Sequence, residues 1–186
     1  MLLQSITVVG LPIPSREPWF LAMVAVHVVA ALVATIAGAL AMLSRKTAGR
    51  HPLNGTIYYY ALFVVCATML VLTVARWPID NQLGALGILS FASAFLGRRA
   101  RRHRWSRWPL VHISGMGASY IFMLTAFYVD NGPHLPLWQR LPNVAFWFLP
   151  TAVGLPVIMF ALRKYRLLDS VLTETGSMPT HAPKRE

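Results

Sequence analysis

Acidic residues are scarce in this 186-residue chain, where six Asp and Glu stand against 17 Lys and Arg. No carboxylate and no lysine lies deep inside an apolar run, so the charged relay expected of many ion-coupled transporters is absent. Cysteine is nearly missing too. The single Cys66 excludes an intrachain disulfide and any Cys-based zinc motif, and within an apolar run it reads as a small packing residue. No P-loop, dinucleotide fingerprint, HExxH pair or nucleophile elbow occurs. Histidines, methionines and a few carboxylates at the ends of apolar runs are what remains to carry chemistry, and they form no complete catalytic constellation.

What the chain has instead is hydrophobic length. With 56% hydrophobic and 12% charged residues it is unlike an ordinary soluble domain. Apolar stretches at about 19–43, 56–75, 83–97, 109–129 and 144–162 predict an all-α integral membrane bundle of five transmembrane helices occupying residues 19–165. The stretch 83–97 is short for a hydrocarbon core of ~30 Å at ~1.5 Å per residue. Residues 1–18 lack a basic leader and a small-residue cleavage site, and Pro12, Pro14 and Pro18 break them. They read as a short N-terminal segment at the membrane surface rather than a cleaved signal. Residues 166–186 are polar and read as a mobile cytoplasmic tail.

The faces of the spans differ in residue size. In the first, His27, Ala30, Ala31, Ala34, Gly38 and Ala41 lie opposite Val29, Leu32, Val33, Ile36, Leu40 and Leu43; small residues admit a neighbouring helix, and bulky aliphatic ones suit lipid. Gly84, Gly87, Ser90, Ala94 and Gly97 supply similar contact points in the third. Tyr58, Tyr59 and Tyr60 are placed at a membrane–water boundary, 44–55 is read as a basic loop, and Pro150 and Pro156 predict a kink in the fifth span.

Lys and Arg alternate between segments. The first loop carries three, residues 98–108 six and the tail five, whereas the N-terminal segment, the 76–82 turn and the 130–143 loop carry one each. This bias predicts an N-terminus outside and a C-terminus in the cytoplasm. It also retains the short third span, whose deletion would put six arginines on the translocated side. A net charge of +11 on a soluble face would point to nucleic acid; placed between two apolar spans, the arginines and tryptophans of 98–108 read as an anchor on anionic lipid headgroups, and no nucleic acid is expected.

The fourth stretch carries an ordered line of useful side chains. At 100° per residue, His112, Met116, Ser119, Met123, Ala126 and Asp130 share one narrow face. His27 and His112 read either as neutral imidazoles bonded to a neighbouring helix or as ligands to haem iron. One haem cannot join them, because the predicted topology separates them by roughly 15 Å along the membrane normal. Two groupings pass that filter as candidate metal or haem sites: His112 with His51 and His103 on the inner side, and His27 with Asp80, Asp130 or His134 on the outer side. Met116 and Met123 are soft potential ligands that more commonly fill gaps between helices.

With these residues in view, the chain resembles a family of uncharacterised bacterial multi-pass predicted membrane proteins, a domain of unknown function. The resemblance rests on His27 through Gly38, on RKTAGRHPLNGTIYY at 45–59, and on HISGMGASYIFMLTAFYVDNG at 112–132 followed by LPLW. It implies a bacterial membrane protein and supplies no mechanism. The residues themselves lead to a small-ligand-binding or assembly component of the cytoplasmic membrane, partnered by lipid and by a second copy or another membrane protein. A membrane redox protein carrying haem b is the alternative. A small-molecule transporter, built on the kinked fifth helix and the polar fourth-helix face, is the third reading.

Overall fold

The computed structural model describes residues 6–8, 11–13, 17–45 and 49–165. Five helices follow one another: α1 (Pro18–Leu43), α2 (Arg50–Ala75), α3 (Asn81–Arg102), α4 (Trp108–Asn131) and α5 (Asn143–Lys164). An antiparallel pair, β1 (Ile6–Val8) and β2 (Leu11–Ile13), precedes them, with Ile6 opposite Ile13 and Val8 opposite Leu11. The all-helical expectation therefore describes the bundle and not this segment. β-Branched Ile6, Thr7, Val8 and Ile13 favour extended backbone, and Pro12 is tolerated because both strands of a lone pair are edges. The tail 166–186 lies outside the described residues.

The helices outrun their apolar cores. α2 starts at Arg50 instead of 56, inside the segment read as a loop. Gly49 turns the chain at φ 106°, a conformation other residues avoid, and Pro52 falls in the first turn, where its missing N–H leaves no helical bond unmade. α3 likewise continues through Arg102, so Arg98, Arg99, Arg101 and Arg102 ride on its final turns instead of a loop; three of them fall in the last turn, where cations complement the helix dipole. α5 runs on as one helix through Pro150 and Pro156.

Four of these helices, α1, α2, α4 and α5, are long and apolar enough to cross a membrane. α3 falls short because its arginines leave only 83–97 apolar. The outward faces of the outer helices are hydrophobic: Val29, Leu32, Ile36 and Leu40 of α1 and Phe148, Leu155 and Phe160 of α5 are exposed. In water such a surface would be unstable, whereas lipid tails match it, so the bundle is membrane-embedded.

Neighbours in sequence pack as neighbours in space: α1 on α2, α2 on α3, α3 on α4, α4 on α5. Ala34, Ala37, Tyr58, Leu62, Val65, Cys66, Ala94 and Met123 form a core drawn from the first four helices, and α5 lies outside it against α4. Two glycine seams set the register. Where α3 crosses α4, a Cβ on Gly115 would stand 2.7 Å from the Ser93 carbonyl oxygen and 3.0 Å from Cα of Gly97, so backbone meets backbone. Where α4 meets α5, the side chain of Ile158 fills the notch over Gly117 and that of Ile121 fills the notch over Gly154.

Candidate functional site

At one end of the bundle the glycine crossing and the early start of α2 bring two histidines together. His51, in the first turn of α2, donates from Nδ1 to the Ala41 carbonyl of α1 at 2.9 Å. His112, near the start of α4, donates from Nδ1 to the Gly97 carbonyl of α3 at 3.1 Å. A carbonyl only accepts, so each ring carries its proton on Nδ1 and keeps Nε2 as its basic nitrogen. The ring centroids lie 6.4 Å apart with the planes at 88°. A main-chain carbonyl on the second nitrogen is the arrangement that orients metal-ligating imidazoles. His103, expected with them, caps α3 with its side chain exposed and joins neither ring. Beside the pair, the Arg98 guanidinium stands 4.4 Å above the Tyr59 ring and 5.3 Å from that of Tyr60, a cation–π clamp that fixes one charge of a strongly basic end.

The middle of the bundle holds a polar knot. Ser119 is fully buried and its hydroxyl donates to the Met116 carbonyl, so Tyr58 must be the donor in the 2.7 Å bond between the Tyr58 and Ser119 hydroxyls. Ser90 of α3 donates to the Ser119 carbonyl at 2.7 Å, and Tyr120 donates to the Thr35 carbonyl of α1 at 2.9 Å. Tyr58 is thereby moved from the membrane boundary to the core, since the lengthened α2 carries it inward. Met123 is buried and Met116 packs at the core's edge, both as gap fillers. Cys66 donates its thiol to the Gly87 carbonyl at 3.2 Å.

The opposite end gathers Asp80, Arg76 and His134 within electrostatic reach of Asp130. Asp80 is buried and pairs with Arg76 at 2.7 Å. Burial raises its carboxyl above the ordinary carboxylate range, opposed by the Arg76 guanidinium. An acid whose folded value exceeds its unfolded one favours the fold when protonated, so this carboxyl's contribution declines as pH rises past the unfolded value. Replacing Arg76 with alanine leaves that carboxylate uncompensated, and a loss of about 2 kcal/mol is expected at neutral pH. Asp80→Asn should cost less, and the Arg76→Ala deficit should shrink at acidic pH in thermal melts of the detergent-solubilised protein.

His27 joins neither end. Its Nδ1 lies 2.9 Å from the Thr68 hydroxyl of α2, and that hydroxyl donates to the Val64 and Val65 carbonyls, so the imidazole is the donor. Thr68 sits about 25 Å along α2 from His51 at ~1.5 Å per residue, which keeps His27 far from the imidazole pair. No family model, no curated protein and no solved structure matches the chain. Among the described residues, no three His, Cys, Asp or Glu side chains gather as a metal-binding group. The sequence did not single out Thr68 and Thr35, and it marked Ser90 and Gly97 only as small contact points; the hydrogen-bonding role of each is identified by its partner on another helix rather than by any local pattern.

Proposed function

We propose that this chain is a five-span protein of a bacterial cytoplasmic membrane that binds a small ligand through His51 and His112, as a binding or assembly component and not as a catalyst. The imidazole pair carries this reading: two rings from different helices, 6.4 Å apart, with tautomers fixed by Ala41 and Gly97. Rings held this way need little reordering when a ligand arrives. Two imidazoles that share one ion at ~2.1 Å per bond have centroids about 5 to 6.5 Å apart. That spacing is compatible, as a second reading, with a b-type haem that His51 and His112 would hold and that would supply one-electron transfer.

Five spans are supported by α3. Gly97 abuts the first turns of α4, and Asp80 acts on Asp130 at the far end of α4, so α3 runs the length of its neighbour although its apolar part is short. With the C-terminus in the cytoplasm, as the Lys and Arg alternation favours, Arg98 to Arg107 and their tryptophans meet the anionic headgroups of the inner leaflet.

Protein expressed with ample haem and trace metals is expected to copurify with a chromophore or metal that His51→Ala or His112→Ala removes and His27→Ala and His103→Ala retain. Absorbance and elemental analysis read this out. A preparation with no bound molecule overturns the ligand reading, and the absence of a Soret band removes the haem version alone. Cysteine labelling at 78–82, 100–107 and 132–140 should report outside, inside and outside; any other order overturns the orientation.

A further inference from the structure

We infer that the cleft between α4 and α5 holds one acyl chain of an anionic membrane lipid, at a site separate from the imidazole pair. The cleft encloses about 290 Å³ and is lined by Met42 of α1, Tyr120, Leu124 and Tyr128 of α4, and Val153 and Val157 of α5. It exists because α5 packs on α4 through the two interlocked glycine notches and leaves a trough on the side facing α1. From Gly117 to Tyr128 it runs about 16 Å along α4 at ~1.5 Å per residue, the length of a chain and not of a compact ligand. The Trp138 ring, 5.1 Å from that of Tyr128, lines the far end.

Charge decides which lipid. Lipid tails are as apolar as the cleft, so hydrophobicity alone selects nothing. The near end, at Met42 and Ile158, leads to the helix ends that carry exposed Arg45 beyond α1 and exposed Arg163 and Lys164 on the last turn of α5. Three cations at one mouth of an apolar trough suit a headgroup phosphate with net negative charge. A second copy inserting a helix would bring no such charge to that mouth, since α1 and α5 lack acidic residues.

Native mass spectrometry of the full chain in mild detergent, after exchange into dioleoyl phosphatidylglycerol or dioleoyl phosphatidylcholine, tests this. One phosphatidylglycerol is expected to stay bound per chain under activation that strips phosphatidylcholine. Val153→Trp, which fills the trough from an exposed position, should weaken retention about tenfold, whereas Leu32→Trp on the outer face of α1 should leave it intact. The triple change Arg45→Gln, Arg163→Gln, Lys164→Gln should abolish the headgroup preference. Equal retention of both lipids by the unaltered protein, unaltered retention in Val153→Trp, or a lipid-free dimer that Val153→Trp dissolves would each overturn the proposal. Because His51→Ala and His112→Ala should leave lipid retention unchanged, failure here does not touch the imidazole reading.

Discussion

Alanine at Gly115 is expected to destabilise the detergent-solubilised protein by about 1–3 kcal/mol, and valine there to prevent folding. The added methyl would stand 2.7 Å from the Ser93 carbonyl oxygen and 3.0 Å from both Cα and N of Gly97. All of these are main-chain atoms of α3, so no side chain can rotate aside and the two helices must separate. The separation would also draw the Gly97 carbonyl away from His112, releasing the tautomer that the 3.1 Å bond enforces. Gly97→Ala should be milder, since its nearest contacts are 3.1 and 3.2 Å. Gly55→Ala is the matched control. Nothing stands within 4 Å of a Cβ at Gly55 in α2, and alanine there should stabilise by about 0.4–1 kcal/mol through helix propensity and a less free unfolded chain. Thermal unfolding followed by circular dichroism separates the three, and a Gly115→Ala protein that melts with the wild type would contradict the tight crossing.

Ser119→Ala is expected to cost about 1–2 kcal/mol, more than Tyr58→Phe, although both break the same hydrogen bond. Removing the serine hydroxyl strands the Tyr58 hydroxyl, on a side chain only 2% exposed, with no water to replace its acceptor. Removing the tyrosine hydroxyl leaves Ser119 still donating to the Met116 carbonyl. The double variant should recover most of the difference, because it removes donor and acceptor together. A double-mutant cycle measures this directly, and additive losses would show that the two hydroxyls are not coupled.

Much of the bundle was legible before any coordinates. The alternation of small and bulky residues along α1 named the face that is buried, with Ala34, Gly38 and Ala41 inside and Val29, Leu32 and Ile36 outside. The line on α4 contained Ser119 and Met123, both buried at the centre. Helix ends were misread where chemistry at the terminus outweighs hydropathy: Gly49 and Pro52 start α2 inside a basic segment, and the arginines of α3 extend a helix whose apolar run has ended. Tyr58 was misplaced for the same reason, since its depth depends on where α2 begins.

The two proposed histidine groupings illustrate the boundary. His51 and His112 stand together while His103 does not; Asp80 and His134 both bear on Asp130, while His27 bonds to Thr68 of α2 and joins neither group. Sequence by itself determined that this is a bundle of apolar helices suited to a membrane, with its charge concentrated in a few segments, because length, hydropathy and charge are properties of a chain read one residue at a time. Only the tertiary structure decided which imidazoles meet, which carbonyl fixes each tautomer and which hydroxyl donates to which. Those depend on the depth at which two helices cross, and that depth is set where Gly97 meets Gly115 backbone to backbone.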